Sequence, residues 1–256
     1  MSLAAMTSIK ESIGWSGVTG ALSCFLSQSG ITGLPDVLDN ENFFDGEFFE
    51  DLGKTYAIMD VYFKPYSSCR MMHPVIDAAI TLAQENHINI RDIEGISVET
   101  SLKAMGMNNG APSNIEEAQF IITFCIATVL KYGKLTPTVM QEQHFTDPMI
   151  QDICGKVRIS LDEKQDRGEG ESRFPRKTAA RVTMRTRKGV FSTYVDCPKG
   201  DPENPLTRIE LIQKFLEAGN ARVGEEILHD ILGFVFSLES RESIEGLRPL
   251  IMGARS

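Results

Sequence analysis

The chain has 256 residues, 42% of them apolar and 24% charged, so it is neither collagenous nor low-complexity and is long enough to bury a core of its own. Its 35 acidic and 26 basic residues give a net charge of −9, which argues against nucleic acid as a partner, since a phosphate backbone needs a basic face. The five cysteines (Cys24, Cys69, Cys125, Cys154 and Cys197) are odd in number and form no CxxC pair, which excludes a zinc ribbon or a thioredoxin-like motif and reads as reduced thiols of a cytoplasmic protein.

No run approaches the ~18 apolar residues of a membrane span, and no basic segment followed by an apolar one opens the chain, so neither membrane nor export is expected. Residues 9–29 read as a helix, with Ile13, Val18, Leu22, Phe25 and Leu26 on one apolar face and Gly30 as its C-cap. Residues 36–53 read as a loop or short helix whose Phe43, Phe44, Phe48 and Phe49 form a small satellite core. Tyr56 to Phe63 reads as a short strand, followed by a polar loop and a helix that starts at Pro74. Ile96, Val98 and Thr100 alternate with polar residues, as on a half-buried strand. Residues 101–114 form a loop, and Ser113 or Asn114 caps a buried helix running from 115 to Leu130. Val157, Ile159 and Leu161 mark another strand. The alternating runs on either side of Lys188-Gly189 predict a hairpin, and the charged 163–173 stretch that precedes it predicts an exposed loop. Thr207 caps a helix through Phe215, and a last helix covers 223–237. This order predicts an α+β fold, with helical ends flanking a mixed block.

No GxGxxG, Walker A, HExxH or GxSxG motif is present. The densest chemical cluster is Lys64-Pro65-Tyr66-Ser67-Ser68-Cys69-Arg70-Met71-Met72-His73, at a strand-to-helix junction that turns backbone N–H groups toward an anion. Lys64 and Arg70 are suited to carboxylates, and His73 to acid–base work near neutral pH. The competing reading is a solvated loop with one capping histidine. Lys10 and Trp15 on the first helix form a weaker pair. Asp201-Pro202-Glu203-Asn204-Pro205 lacks the alternating oxygen ligands of a calcium loop, so it reads as a turn framework and no metal site is expected.

Phe63-Lys64-Pro65-Tyr66-Ser67-Ser68-Cys69-Arg70 with His73 resembles the KPYPxCRxxH signature of the MmgE/PrpD family, which includes 2-methylcitrate dehydratase, cis-aconitate decarboxylase and iminodisuccinate epimerase. Three further stretches agree in order. Lys10 to Leu38 resembles the family's glycine-rich helix and GFTGPxxxLEG segment, Glu117-Ala118-Gln119-Phe120 resembles EAQFS, and Pro198 to Leu206 resembles PKGDPxNPLT.

The resemblance implies a helical domain and a smaller α+β domain that closes over the active site. Residues 1–54 would be a remnant of the helical domain, 55–205 the α+β lid, and 206–256 helices returning to the helical domain. It also implies a cofactor-free homodimer that removes a proton next to a carboxylate in a small polycarboxylate. Carried over by position, Lys64 and Lys10 hold or polarise substrate carboxylates, and Cys69 and His73 join Lys64 as catalytic candidates; Tyr66 and Arg70 are signature positions whose substrate-binding role follows from their chemistry alone. Cys69 stands where decarboxylase members have histidine, which favours dehydration or isomerisation over decarboxylation. The family's acid and base residues lie upstream of the counterpart of Lys10, so the resemblance describes this chain as a C-terminal portion lacking most of the helical domain. The alternatives to a dehydratase are an epimerase, isomerase or decarboxylase on a related acid, or an inactive homologue that serves as an interaction module.

Overall fold

The structure, a computed structural model, describes residues 13–35, 39–40, 50–106, 110–163, 178–220 and 223–253. The chain divides into two compact units, Met1–Val61 and Tyr62–Ser256. No helix among the described residues is long and apolar enough to cross a membrane.

In the first unit α1 spans Ile13–Gln28. It ends where expected, because Gly30 adopts φ +85° and a Schellman pair closes the last turn: Gly30 N donates to Ser27 O at 3.0 Å and Ile31 N to Leu26 O at 3.0 Å. Trp15, Val18, Leu22 and Phe25 on this helix are all more than half exposed. Lys10 and the four phenylalanines of the expected satellite core lie outside the described residues. The strand expected at Tyr56–Phe63 is not one. Ala57–Asp60 forms a 3-10 turn and the chain then runs extended without a ladder partner. Its apolar residues are contiguous rather than alternating, and Ile58 and Met59 are exposed, so no buried face selects a pleat.

The second unit is α+β, as expected. Four strands, β1 (Ile93–Thr100), β2 (Val157–Leu161), β3 (Ala180–Thr186) and β4 (Gly189–Val195), form one mixed sheet in the order β2-β1-β3-β4. β1 pairs parallel with β2 and antiparallel with β3, and β3–β4 is the expected hairpin. Alternation fixes the register: Ile96 sits opposite Met184 and Val98 opposite Val182, all buried, while Glu99 and Arg181 pair on the other face at 3.8 Å.

The buried face packs under α2 (His73–Glu85), with α3 (Ile122–Tyr132) and α4 (Pro148–Lys156) beside it. Val75, Ile76, Ala78, Ala79 and Leu82 of α2 and Phe124, Cys125 and Ile126 of α3 are all buried in one cluster. Each large aliphatic or aromatic side chain there contributes on the order of 1.5–3 kcal/mol of burial. The helix expected from 115 onward is broken. Ile115–Ala118 makes one turn, capped by Asn114 Oδ1 accepting from Glu117 N at 2.8 Å, and α3 starts only at Ile122. The break leaves the Gln119 carbonyl to accept from Cys69 N at 2.8 Å, and this explains why one apolar run became two helices.

α4 was not anticipated, although Asp147-Pro148 is a cap-and-N1 pair: Asp147 Oδ1 accepts from Met149 N at 3.0 Å and from Ile150 N at 3.2 Å. The chain closes with α5 (Arg208–Gly219), α6 (Glu225–Phe236) and α7 (Leu247–Gly253), the last also unanticipated. Thr207 caps α5 as expected, in a full capping box with Glu210.

Candidate functional site

The stretch from Phe63 to Met72 is held by three distant parts of the chain. Phe63 N donates to Gly200 O at 2.9 Å, Ser67 N to Leu135 O at 2.8 Å, and Cys69 N to Gln119 O at 2.8 Å. The loop around Gly200 is self-braced. Gly200 N donates to Asn204 O at 2.8 Å, Asn204 N to Asp201 O at 2.9 Å, and Asn204 Nδ2 to Cys197 O at 3.1 Å. Gly200 has φ +94°, and a Cβ there would overlap the Phe63 carbonyl oxygen, so the position accepts only glycine.

Two side-chain links join these loops. Arg70 Nε donates to Asp201 Oδ1 at 3.0 Å while Arg70 Nη2 bonds Oδ2, a bidentate pair whose side chains are 9% and 6% exposed. The same guanidinium lies over the Tyr62 ring, 4.9 Å from its centroid. The second link passes through Asp77 on α2. Its Oδ1 accepts from the Tyr66 hydroxyl, and its Oδ2 accepts from Lys199 N at 2.6 Å. Burial pushes the Tyr66 phenol far above its usual range, with the Asp77 charge and hydrogen bond adding to it. Burial also raises the Asp77 carboxyl, against the lowering effect of its bonds from Tyr66 and Lys199.

His73 opens α2 directly beneath this loop. It is 1% exposed, and its ring meets the Tyr66 ring edge-on at 5.2 Å. Burial brings its imidazole down to about 3, with the Lys64 cation lowering it further, a Ser68 backbone hydrogen bond opposing, and Arg70 adding a smaller push. The ring is therefore neutral near pH 7. Its Nε2 is buried and has no hydrogen-bond partner among the described residues.

The two loops and α5 wall a cavity of about 440 Å³, within the usual range for small-molecule sites. Lys64, Tyr66, Lys199 and Lys214 line it, together with Glu210 and Glu217. The two carboxylates are already engaged. Glu210 accepts from Thr207 N at 2.6 Å and Thr207 Oγ1 at 2.7 Å and pairs with Lys199 Nζ at 3.1 Å; the Thr207 bonds hold its carboxyl below the usual range. Glu217 pairs with Lys134 at 3.4 Å. Lys214 lines the cavity without an ion-pair partner among the described residues.

Of the residues singled out from sequence, Lys64 and Tyr66 line the cavity. Arg70 is turned to Asp201, His73 is buried below the loop, and Cys69 packs half-buried against the core. Asp77, Lys199 and Lys214 were missed. Asp77 had a local signal, since it falls one turn after His73 on the same helix start. Lys199 sat inside a recognised motif but had no assigned chemistry. The Asp201 stretch is a turn framework, as expected. Cys197, Asp201 and Glu203 place ligand-type atoms within 4.8 Å of one another, yet Asp201 is already committed to Arg70.

The architecture is thus a helix-backed mixed sheet whose two loops, KPYSSCR and PKGDPENPL, meet at a cavity rich in lysine. The MmgE/PrpD C-terminal domain matches residues 66–232, and the chain belongs to this family. No curated protein matches the chain.

Proposed function

We propose that this chain supplies the substrate-gripping domain of a lyase that removes water from a small polycarboxylic hydroxy acid, in the manner of 2-methylcitrate dehydratase. The observation that supports the reading is the gathering of Lys64, Lys199 and Lys214 around one cavity, in a chain with a net charge of −9. Removing a proton from carbon next to a carboxylate builds negative charge on that carboxylate, and fixed cations aimed at it lower the barrier. Lys64 takes this polarising role, and Lys199 and Lys214 hold the remaining carboxylates. Tyr66 cannot donate to a ligand without breaking its bond to Asp77, so it shapes the wall rather than capturing an anion. Arg70 acts through Asp201 by fixing the loops. His73, neutral and buried, packs edge-on against the Tyr66 ring behind the cavity. Cys69 stands where decarboxylase members have histidine, which favours dehydration or isomerisation over decarboxylation.

Calorimetric titration of the purified chain with citrate and 2-methylcitrate tests the reading. Ultraviolet absorbance of an unsaturated product reports dehydration, and solvent deuterium uptake without elimination reports isomerisation. Lys64→Ala removes one charge-assisted hydrogen bond of about 1.5–3 kcal/mol and weakens binding by roughly 10- to 150-fold. Absence of saturable binding of either acid to the wild-type chain overturns the proposal.

A further inference from the structure

Asp77 touches no ligand-facing space of its own, yet it holds two walls of the cavity at once. One carboxylate oxygen takes the Tyr66 hydroxyl and the other takes the main-chain N–H of Lys199, 122 residues away in sequence. Tyr66 and Lys199 both line the cavity, and Lys64 is two residues before Tyr66. We propose that Asp77 is a positioning residue that sets the spacing between the Lys64 and Lys199 walls and thereby the fit of a polycarboxylate between them. This inference rests on the reading of the cavity as a polycarboxylate site.

The geometry separates positioning from charge. Asp77, as the carboxylate that accepts both bonds, is an anion beside a cavity lined by three lysines, and the charges of Lys199 and Asp201 act on it. Asp77→Asn removes that anion, so by charge alone citrate should bind more tightly. An amide, however, offers one oxygen and one NH₂: the oxygen keeps the Lys199 N–H, and Tyr66 has to turn its hydroxyl round and accept from the NH₂, so two bonds to a carboxylate become two weaker neutral ones. Both walls are then held less firmly, and weakening charge-assisted bonds of about 1.5–3 kcal/mol corresponds to roughly tenfold or more in affinity if the lysines depend on that spacing.

The test is citrate affinity by calorimetry on the wild-type chain, Asp77→Asn and Tyr66→Phe, with amide hydrogen exchange at Lys199 alongside. We expect Asp77→Asn to bind citrate roughly tenfold or more weakly and the Lys199 amide to lose protection. Tyr66→Phe, which cuts only one of the two links, should shift affinity in the same direction by a smaller factor. If the wild type binds citrate and Asp77→Asn binds it equally or more tightly, the positioning role is wrong while the site reading stands. If the wild type does not bind, both fall together. Should Asp77→Asn fail to fold, Tyr66→Phe decides: unchanged affinity overturns the proposal and weakened affinity supports it.

Discussion

Replacing Asp201 with alanine strips a buried guanidinium of its bidentate carboxylate partner and cuts both prongs of the link between the two cavity loops. Two charge-assisted bonds of about 1.5–3 kcal/mol each are lost, and breaking a buried pair from one side costs about 3–5 kcal/mol because the remaining charge stays desolvated. With both side chains under a tenth exposed, solvent cannot rescue Arg70 cheaply, so the upper half of that range applies. For a unit of this size each kcal/mol moves Tm by roughly 2–4 °C, which puts the shift at roughly 8–20 °C. Urea unfolding followed by circular dichroism measures the free energy directly. The double variant Arg70→Met with Asp201→Leu should recover part of the loss, because no uncompensated charge then remains. A loss under about 1 kcal/mol in Asp201→Ala, or a double variant as poor as the sum of the two single ones, would refute the claim that the pair is desolvated and coupled.

Two further outcomes follow from the same region. Gly200→Ala forces a side chain into φ +94° and against the Phe63 carbonyl, so it should destabilise by about 2 kcal/mol or more, and a urea midpoint equal to wild type would show that the loop can yield. His73 titrates near 6.5 when unfolded and near 3 when folded, so between those values the unfolded chain holds the extra proton and stability falls as pH drops. Between about pH 6.5 and 5 this contribution is about 2 kcal/mol, to be read as the difference between the wild-type and His73→Phe pH profiles, and parallel profiles would contradict it.

The sheet and most helices were legible because each carries a local period and a local stop signal. β1 alternates from Ile96 onward and β3 along its length, Gly30 and Thr207 cap as their chemistry requires, and Lys188-Gly189 turns the hairpin. The failures have physical causes. The 115–130 helix was drawn through Gln119 because nothing local announces that its carbonyl is needed by Cys69, which lies in another part of the chain. Tyr56–Phe63 has strand-forming residues but no partner edge. At the site, Lys64 stood out through its motif. Asp77 did not, because its importance lies in being midway between Tyr66 and the Lys199 backbone, a relation that exists only after folding. Arg70 looked like a ligand-binding cation for the same reason: its partner is 131 residues downstream.

That separation has a consequence for how the protein matures. The contacts that shape the cavity are among the most distant in the chain, and closing so long a loop is an entropic step that comes late unless earlier structure shortens it. β1, β3 and α2 can form a stable platform first, and the Gly200 loop then drops onto it as a single latch. The cavity is therefore expected to close after the sheet and helices have formed, so that the Lys199 amide gains exchange protection later than the amides of β1 and β3.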